Sequence, residues 1–154
     1  QIRSIPTEIL IDSQGKIGKI QFGAISNEDA KTAFKEIKNG RKMSHWMWYI
    51  FPQIQGLGKS STSQYYGIKD LNEARAFIND PYLGGNLKKI SMALLELEEN
   101  NAVAIFGKPD DIKLKSCMTL FSCISEDGSI FHKVLEKYFD GRQCKRTVSI
   151  IGLN

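Results

Sequence analysis

Hydrophobic residues recur every three or four positions along most of the chain, which is the spacing of an amphipathic helix. Five stretches show this pattern most clearly and predict helices, namely residues 28–39, 71–79, 83–99, 110–124 and 129–139. Residues that favour helix ends stand at several of their boundaries. Asn27 and Asp70 are suitable N-caps, Gly40 follows the first helix, and Pro109 precedes an acidic first turn. The pattern therefore predicts a domain built mainly from helices.

Shorter apolar stretches lie between these helices, at residues 45–51, 64–66 and 102–106, and after the last of them, at residues 147–151. The first predicts a short, buried helix that Ser44 caps and that ends before Pro52. The second predicts a further short helix that ends at Gly67. The third is one apolar turn, and the last suits either a helix or a strand.

The first 25 residues follow a different pattern. Residues 7–12 and 17–22 alternate or run apolar on either side of Ser13, Gln14 and Gly15, which predicts two strands joined by a turn. We therefore expect an N-terminal extension, residues 1–25, with a small β-hairpin, followed by a single helical domain, residues 26–154. The predicted fold class is all-α, with about six to seven helices in one multihelical domain.

The composition is that of an ordinary globular protein and excludes several classes. A chain of 154 residues has room for one domain with a core, and its apolar runs are too short to span a membrane. The 21 basic and 17 acidic residues give a net charge of +4 but are spread along the sequence, which argues against a nucleic-acid-binding role. Because the chain begins with Gln1 rather than Met, we expect a fragment or a processed piece.

The three cysteines, Cys117, Cys123 and Cys144, lie in or beside apolar runs. An odd number of thiols in such positions indicates buried, reduced cysteines and hence a cytoplasmic location. Their spacing does not match a zinc site, so we predict no metal, and no motif indicates a cofactor.

Most of the chemistry in the sequence is concentrated in residues 40–58, which contain both tryptophans and one of the two histidines. Arg41 and Lys42 stand just before the predicted 45–51 helix, where free backbone N–H groups favour a bound anion. His45 is the candidate general acid or base, since the ordinary pKa of imidazole lies near neutrality. A structural histidine whose ring bonds a backbone carbonyl is an equally good interpretation.

Trp46 and Trp48 are two positions apart and point to different faces of a helix, which predicts one core side chain and one at a cleft. Lys113 and Lys115, near another helix start, can add positive charge to a site or simply lie on a solvated face. The candidate catalytic residue is His45. The candidate ligand-binding residues are Arg41, Lys42, Ser44, Trp46, Trp48, Gln53, Tyr65, Lys113 and Lys115.

Several of these residues also match a known pattern. The block from Gly40 to Gln53, Gly-Arg-Lys-Met-Ser-His-Trp-Met-Trp-Tyr-Ile-Phe-Pro-Gln, resembles the signature of an uncharacterised family catalogued as domain of unknown function 1810. Further blocks resemble the same pattern, at residues 57–58, 64–68, 80–84, 105–107, 110–116 and 118–121. The resemblance covers roughly residues 28–152. It implies a mainly helical domain, and it brings no activity, cofactor or catalytic residue.

Two functions of different classes remain open, and the sequence does not decide whether the protein is an enzyme. The first is a site between residues 41–58 and the 110–121 helix for an anionic small molecule. This ligand is phosphate-bearing, nucleotide-like or ADP-ribose-like, and is bound with or without hydrolysis. The second is a non-catalytic module that binds a protein partner or an adjacent domain through the hairpin edge or an exposed tryptophan. A closed polar pocket containing His45 would favour the first, and a flat apolar patch around Trp46 or Trp48 the second.

Overall fold

A computed structural model describes residues 6–11, 17–22 and 27–152 of the chain. Two strands come first, β1 (Pro6–Ile11) and β2 (Ile17–Phe22), and they pair antiparallel with an irregular register. The turn predicted at Ser13, Gln14 and Gly15 lies outside the described residues.

Helices occupy most of the chain from Asn27 onward. They are α1 (Asn27–Lys38), α2 (Met47–Ile50), α3 (Ser61–Tyr66), α4 (Leu71–Asn79), α5 (Pro81–Glu96), α6 (Ala102–Phe106), α7 (Asp110–Ser122), α8 (Ile130–Phe139) and α9 (Lys145–Ile151). The all-α prediction is confirmed for this body. The described part of the chain contains nine helices rather than six to seven, because residues 102–106 and the tail each form a short helix. Of these helices, none is both long and apolar enough to cross a membrane.

Side-chain caps define several of the helix starts. Ser60, Asp70 and Ser129 each accept a hydrogen bond from a backbone N–H of the following turn. Asp80 caps α5 in the same way, and Pro81 occupies its first position, where its missing N–H would be unpaired anyway. α5 therefore begins two residues before the predicted residue 83. Asp80 thus follows the last residue of α4 and also caps the start of α5.

Two helices form the centre of the fold. α5 packs against α1, α4 and α8, and α7 packs against α6, α8 and α9. Leu87 and Leu94 of α5 and Leu114 and Phe121 of α7 are at most 2% exposed. The apolar face of each central helix is thus covered by its neighbours, as the helical spacing of apolar residues requires.

α4 and α5 approach each other closely at Gly84. A Cβ atom on this residue would lie 1.9 Å from the carbonyl oxygen of Ile78, near the end of α4. A side chain of any size would therefore push the two helices apart. The adjacent Gly85 is exposed, and a Cβ there would meet no atom of the described residues within 4 Å.

The C-terminal end of α5 is capped by side chains of α8. Nζ of Lys137 donates hydrogen bonds to the carbonyls of Leu94 and Leu95, both at 3.1 Å, and to that of Leu97. The hydroxyl of Tyr138 donates to the Leu94 carbonyl at 2.7 Å, and burial raises the pKa of Tyr138 to about 12. An ammonium group also suits the negative end of a helix dipole. Polar contacts therefore join α5 and α8 in addition to their packing.

The adjacent glycines of α5 provide a matched test of this packing. Gly84→Ala should lower the free energy of unfolding by about 1–3 kcal/mol, because the backbone at Ile78 must move to admit a methyl group. Gly85→Ala should raise it by about 0.5–1 kcal/mol, because alanine favours a helix more than glycine does. Urea denaturation measures both values. Equal losses in the two variants would contradict the close approach at Gly84.

Candidate functional site

The loop that follows α1 folds back onto that helix and is held there by one carboxylate. Gly40, whose φ is 81°, ends α1 and lets the chain reverse. Oε1 of Glu36 accepts hydrogen bonds from the backbone N–H groups of Met43 at 2.7 Å and Ser44 at 2.9 Å. The same oxygen accepts one from Nε1 of Trp46 at 2.9 Å, and Oε2 accepts one from the Ser44 hydroxyl at 2.6 Å. Four donors from residues 43–46 thus converge on Glu36.

These hydrogen bonds favour the ionised form of Glu36. Burial by itself raises the pKa of this carboxyl group, but the bonds from the Ser44 hydroxyl, the two backbone N–H groups and the Trp46 indole more than offset that effect. The pKa of Glu36 therefore lies below its ordinary value of 4.5. At neutral pH the loop is anchored to a charged group.

Trp46 is the part of this loop that enters the core. Its side chain is 2% exposed, and its ring centroid lies 6.2 Å from that of Phe51 and 6.5 Å from that of Phe106. Trp48 is only partly buried. The two tryptophans therefore differ in burial, as their spacing predicts.

A group of charged side chains lies over the two indole rings. Nζ of Lys42 is 3.0 Å from Oδ2 of Asp110, and Nζ of Lys113 is 3.4 Å from Oδ1 of the same residue. The Lys42 ammonium lies 5.3 Å from the centroid of the Trp46 ring, and that of Lys113 lies 4.5 Å from the Trp48 ring. We call Lys42, Asp110, Lys113 and Trp48 the lysine–tryptophan cluster. It joins the loop after α1 to the first turn of α7.

A small cavity of about 10 Å³ adjoins Trp48. It is lined by Trp48, Gln53, Ile54, Leu57, Gly58, Ser63, Tyr66 and Gly67. Its size is close to the minimum that holds one water molecule. Nε1 of Trp48 is buried and has no hydrogen-bond acceptor among the described residues. The indole N–H is thus an unpaired buried donor within the described part of the chain.

The structure brings together some of the candidate residues from the sequence. Lys42, Lys113 and Trp48 meet in the cluster, and Gln53 lines the adjoining cavity. Arg41 and His45 are exposed on the same loop. Within the part of the chain that the structure describes, no side chain hydrogen-bonds to the ring of His45.

Two candidates lie away from this cluster. Nζ of Lys115 is 5.9 Å from the ring centroid of Phe139, and the side chain lines an open groove beside α9. Lys113 and Lys115 thus face different neighbours, as their two-residue spacing on α7 requires. Tyr65 is 47% exposed and contacts Tyr66 edge-on, and Tyr66 is the tyrosine that lines the cavity.

The helix predicted over residues 45–51 is shorter than expected. α2 begins at Met47, with Trp46 at the N-cap position, and contains four residues. Ser44 does not cap it, because its hydroxyl donates to Glu36 instead. Arg41 and Lys42 therefore do not stand directly before a helix start as predicted, and Lys42 pairs with Asp110.

The sequence interpretation missed two carboxylates. Asp110 stands at a helix start, where an acidic residue is already accounted for by the helix dipole. Its ion pairs to Lys42 and Lys113 become evident only from the fold. Glu36 stands in the last turn of α1, where the helix dipole disfavours an acidic side chain. An acidic residue at this position indicates that hydrogen-bond donors outside the helix stabilise it, and this indication can be taken from the sequence.

The cluster offers two ammonium groups, one carboxylate, an aromatic face and an indole N–H. This set suits an anion that carries a ring, whereas a metal ion would need a group of oxygen, nitrogen or sulfur ligands. Among the described residues, no three or more histidine, cysteine, aspartate or glutamate side chains are arranged to hold one.

Fold and site together define a multihelical domain in which a carboxylate-anchored loop meets the start of a central helix. The chain belongs to the family described as protein of unknown function DUF1810, whose model matches residues 20–151. It is similar to the conserved hypothetical protein Rv1873 from Mycobacterium tuberculosis. The two are 36% identical over 83% of this chain and 91% of that one, with a TM-score of 0.79. A search of curated proteins found no match. The predicted family is confirmed, and its match begins within β2 and covers the helical body.

The role of Glu36 can be tested by Glu36→Gln. The amide keeps one acceptor but turns an NH₂ group toward the donors of the loop. We expect the free energy of unfolding at neutral pH to fall by about 1.5–3 kcal/mol, the scale of hydrogen bonds to a charged group. Glu126→Gln removes an exposed carboxylate and should change it by less than about 0.5 kcal/mol.

The pH dependence of this effect has a defined sign. Because the pKa of Glu36 is lower in the folded protein, its contribution to stability is fully present above the ordinary value of 4.5. It is lost as the pH falls through the lower folded pKa. Glu36→Gln should therefore flatten the acid limb of a stability profile measured by urea denaturation. An acid limb identical to that of the wild type would contradict the assignment.

Proposed function

We propose that the domain binds a small anionic molecule at the lysine–tryptophan cluster, and that this molecule is phosphate-bearing and nucleotide-like or ADP-ribose-like. The observation that carries the proposal is that two lysines converge on one aspartate next to an aromatic ring. Two positive groups and one negative group leave a surplus positive charge. An anionic ligand group is the partner that such a surplus favours.

The environment of the cluster strengthens this attraction. The side chains of Lys42, Asp110 and Lys113 are 10%, 17% and 22% exposed, respectively. Charges that are largely removed from water interact more strongly and are screened less by salt than charges on an open surface. Each ammonium group has three N–H donors, so binding to Asp110 leaves further donors for a phosphate oxygen.

Trp48 gives the site a preference for a ligand with a ring or sugar oxygen that accepts a hydrogen bond. Its aromatic face lies under Lys113, and its buried N–H has no acceptor among the residues that the structure describes. A ribose or ring oxygen can accept a hydrogen bond from that N–H, which removes the free-energy cost of an unpaired buried donor. The adjoining cavity of about 10 Å³ is too small for a nucleobase. Only a single acceptor atom of the ligand therefore enters the cavity, and the rest of the ligand lies over the cluster.

The geometry favours binding over hydrolysis. His45 is exposed, and no described side chain orients its ring. The hydroxyl of Ser44 donates to Glu36 and is not positioned as a nucleophile. A general acid or base needs a partner that fixes its orientation and its proton.

A non-catalytic protein-interaction module is the second candidate. A two-stranded sheet leaves an outer edge on both strands, and an extended peptide can add to such an edge. Binding of a protein partner through an exposed tryptophan is less well supported, since Trp46 is 2% exposed and Trp48 lies under Lys113.

The two lysines of α7 provide a matched test of the ligand site. Lys113→Ala should weaken binding of ADP-ribose or a nucleotide by about 10- to 100-fold, the effect of losing a charge-assisted hydrogen bond. Lys115→Ala removes the same charge from the same helix but away from the cluster, and should leave affinity within about twofold. Isothermal titration calorimetry measures both. Equal losses, or no binding by the wild type, would contradict the proposed site.

His45→Asn separates binding from chemistry. We expect it to leave both the affinity and the fold unchanged, because the ring is exposed and no described side chain bonds it. We also expect the wild type to release no phosphate from the bound ligand. Phosphate release that drops by about 10²- to 10⁴-fold in His45→Asn would instead make His45 a general acid or base.

A further inference from the structure

A second cavity, of about 240 Å³, lies between α1, α2, α4 and α5 and shares no residue with the lysine–tryptophan cluster. Its walls are mainly apolar and include Phe34 of α1 and Leu83, Leu87 and Ile90 of α5. Leu83, Leu87 and Ile90 are 2–3% exposed, so this wall belongs to the protein core. A cavity of this kind takes an apolar body out of water without a change in the fold.

Polar groups are gathered on the parts of the lining contributed by α1 and α5. Lys31 and Lys89 line the cavity and are exposed, which places both side chains at its rim. Nζ of Lys89 lies 4.3 Å from the centroid of the Phe34 ring. Among the described residues neither lysine has a carboxylate partner. Both positive charges are therefore available to an anion at the mouth.

Asn86 adds a hydrogen-bond donor to the same lining. Its Nδ2 atom is buried and makes no hydrogen bond of good geometry in the residues described. Burial raises the pKa of Tyr82, and the Asn86 side chain beside its hydroxyl partly offsets that rise. At least one of its two N–H groups thus remains for an acceptor on a bound molecule.

We propose that this cavity binds a small carboxylic acid whose apolar body is one aromatic ring with a short chain. A cavity of about 150 Å³ in a protein core accepts benzene, so a volume of about 240 Å³ accommodates a ring and two or three further carbons. The ring lies against Phe34 and Leu87, and the carboxylate lies between Lys31 and Lys89. A phosphate-bearing ligand does not fit this apolar interior, so the site is distinct from the lysine–tryptophan cluster.

The test uses 3-phenylpropionate as the probe and the full chain as the protein. We expect saturable binding by calorimetry, with methyl NMR shifts concentrated at Leu83, Leu87 and Ile90. The uncharged analogue 3-phenylpropanol should bind at least about tenfold more weakly, because its hydroxyl carries no charge to pair with the two lysines. Shifts located elsewhere, or equal affinity for the acid and the alcohol, would overturn the proposal.

Adjacent lysines of α5 supply the matched variants. Lys89→Gln should weaken binding of 3-phenylpropionate by about tenfold, whereas Lys88→Gln, which changes an exposed residue outside the cavity lining, should leave it unchanged. Both positions are exposed, so both variants should fold. Lys113→Ala should leave this binding intact, which separates the result from that of the proposed phosphate site. Equal effects of Lys88→Gln and Lys89→Gln, or absence of binding at millimolar probe, would overturn the assignment.

Discussion

The hydrogen bonds to Glu36 are the interaction on which the candidate site depends. This carboxylate draws the loop after α1 back along the helix, and in doing so it fixes the depth of Trp46 beside Phe51 and Phe106. The same fold of the loop carries Lys42 to Asp110 at the start of α7. An acid near the negative end of a helix is unfavourable by itself. Four hydrogen bonds to Glu36 offset that cost here, and the arrangement of the site depends on them.

The two proposed binding regions use the same helical frame in different ways. The charged side chains of the lysine–tryptophan cluster are largely shielded from water, and the group proposed to bind there is a phosphate. Between α1 and α5 the chain leaves an apolar volume with lysines at the rim, which suits an organic acid. The ligands proposed for both regions are anions, although the net charge of +4 is modest for the chain as a whole. Both proposals rest on the local placement of a few lysines and not on overall composition.

Local signals allowed much of the fold to be predicted, and long-range contacts account for what was missed. Ser60, Asp70 and Ser129 cap helices through bonds to residues three positions away, so a cap of this kind can be predicted from the neighbouring sequence, as for Asp70. The role of Ser44 is different, because its hydroxyl bonds a carboxylate eight positions back and therefore cannot cap a helix. Likewise, Lys113 and Lys115 are both site candidates from the sequence, and only the packing of the helices shows that Lys113 contacts Trp48 whereas Lys115 contacts Phe139.

The cap that α8 places on α5 links the stability of two segments that are about 40 residues apart in the sequence. The last carbonyls of α5 bond to Lys137 and Tyr138, so the end of α5 cannot fray unless α8 moves or loses these bonds. Helix ends that lack such side-chain bonds open at little cost in free energy. In this protein the amides at the end of α5 and in the last turns of α8 should instead exchange with solvent as one unit. The α5–α8 pair is then a single foldon.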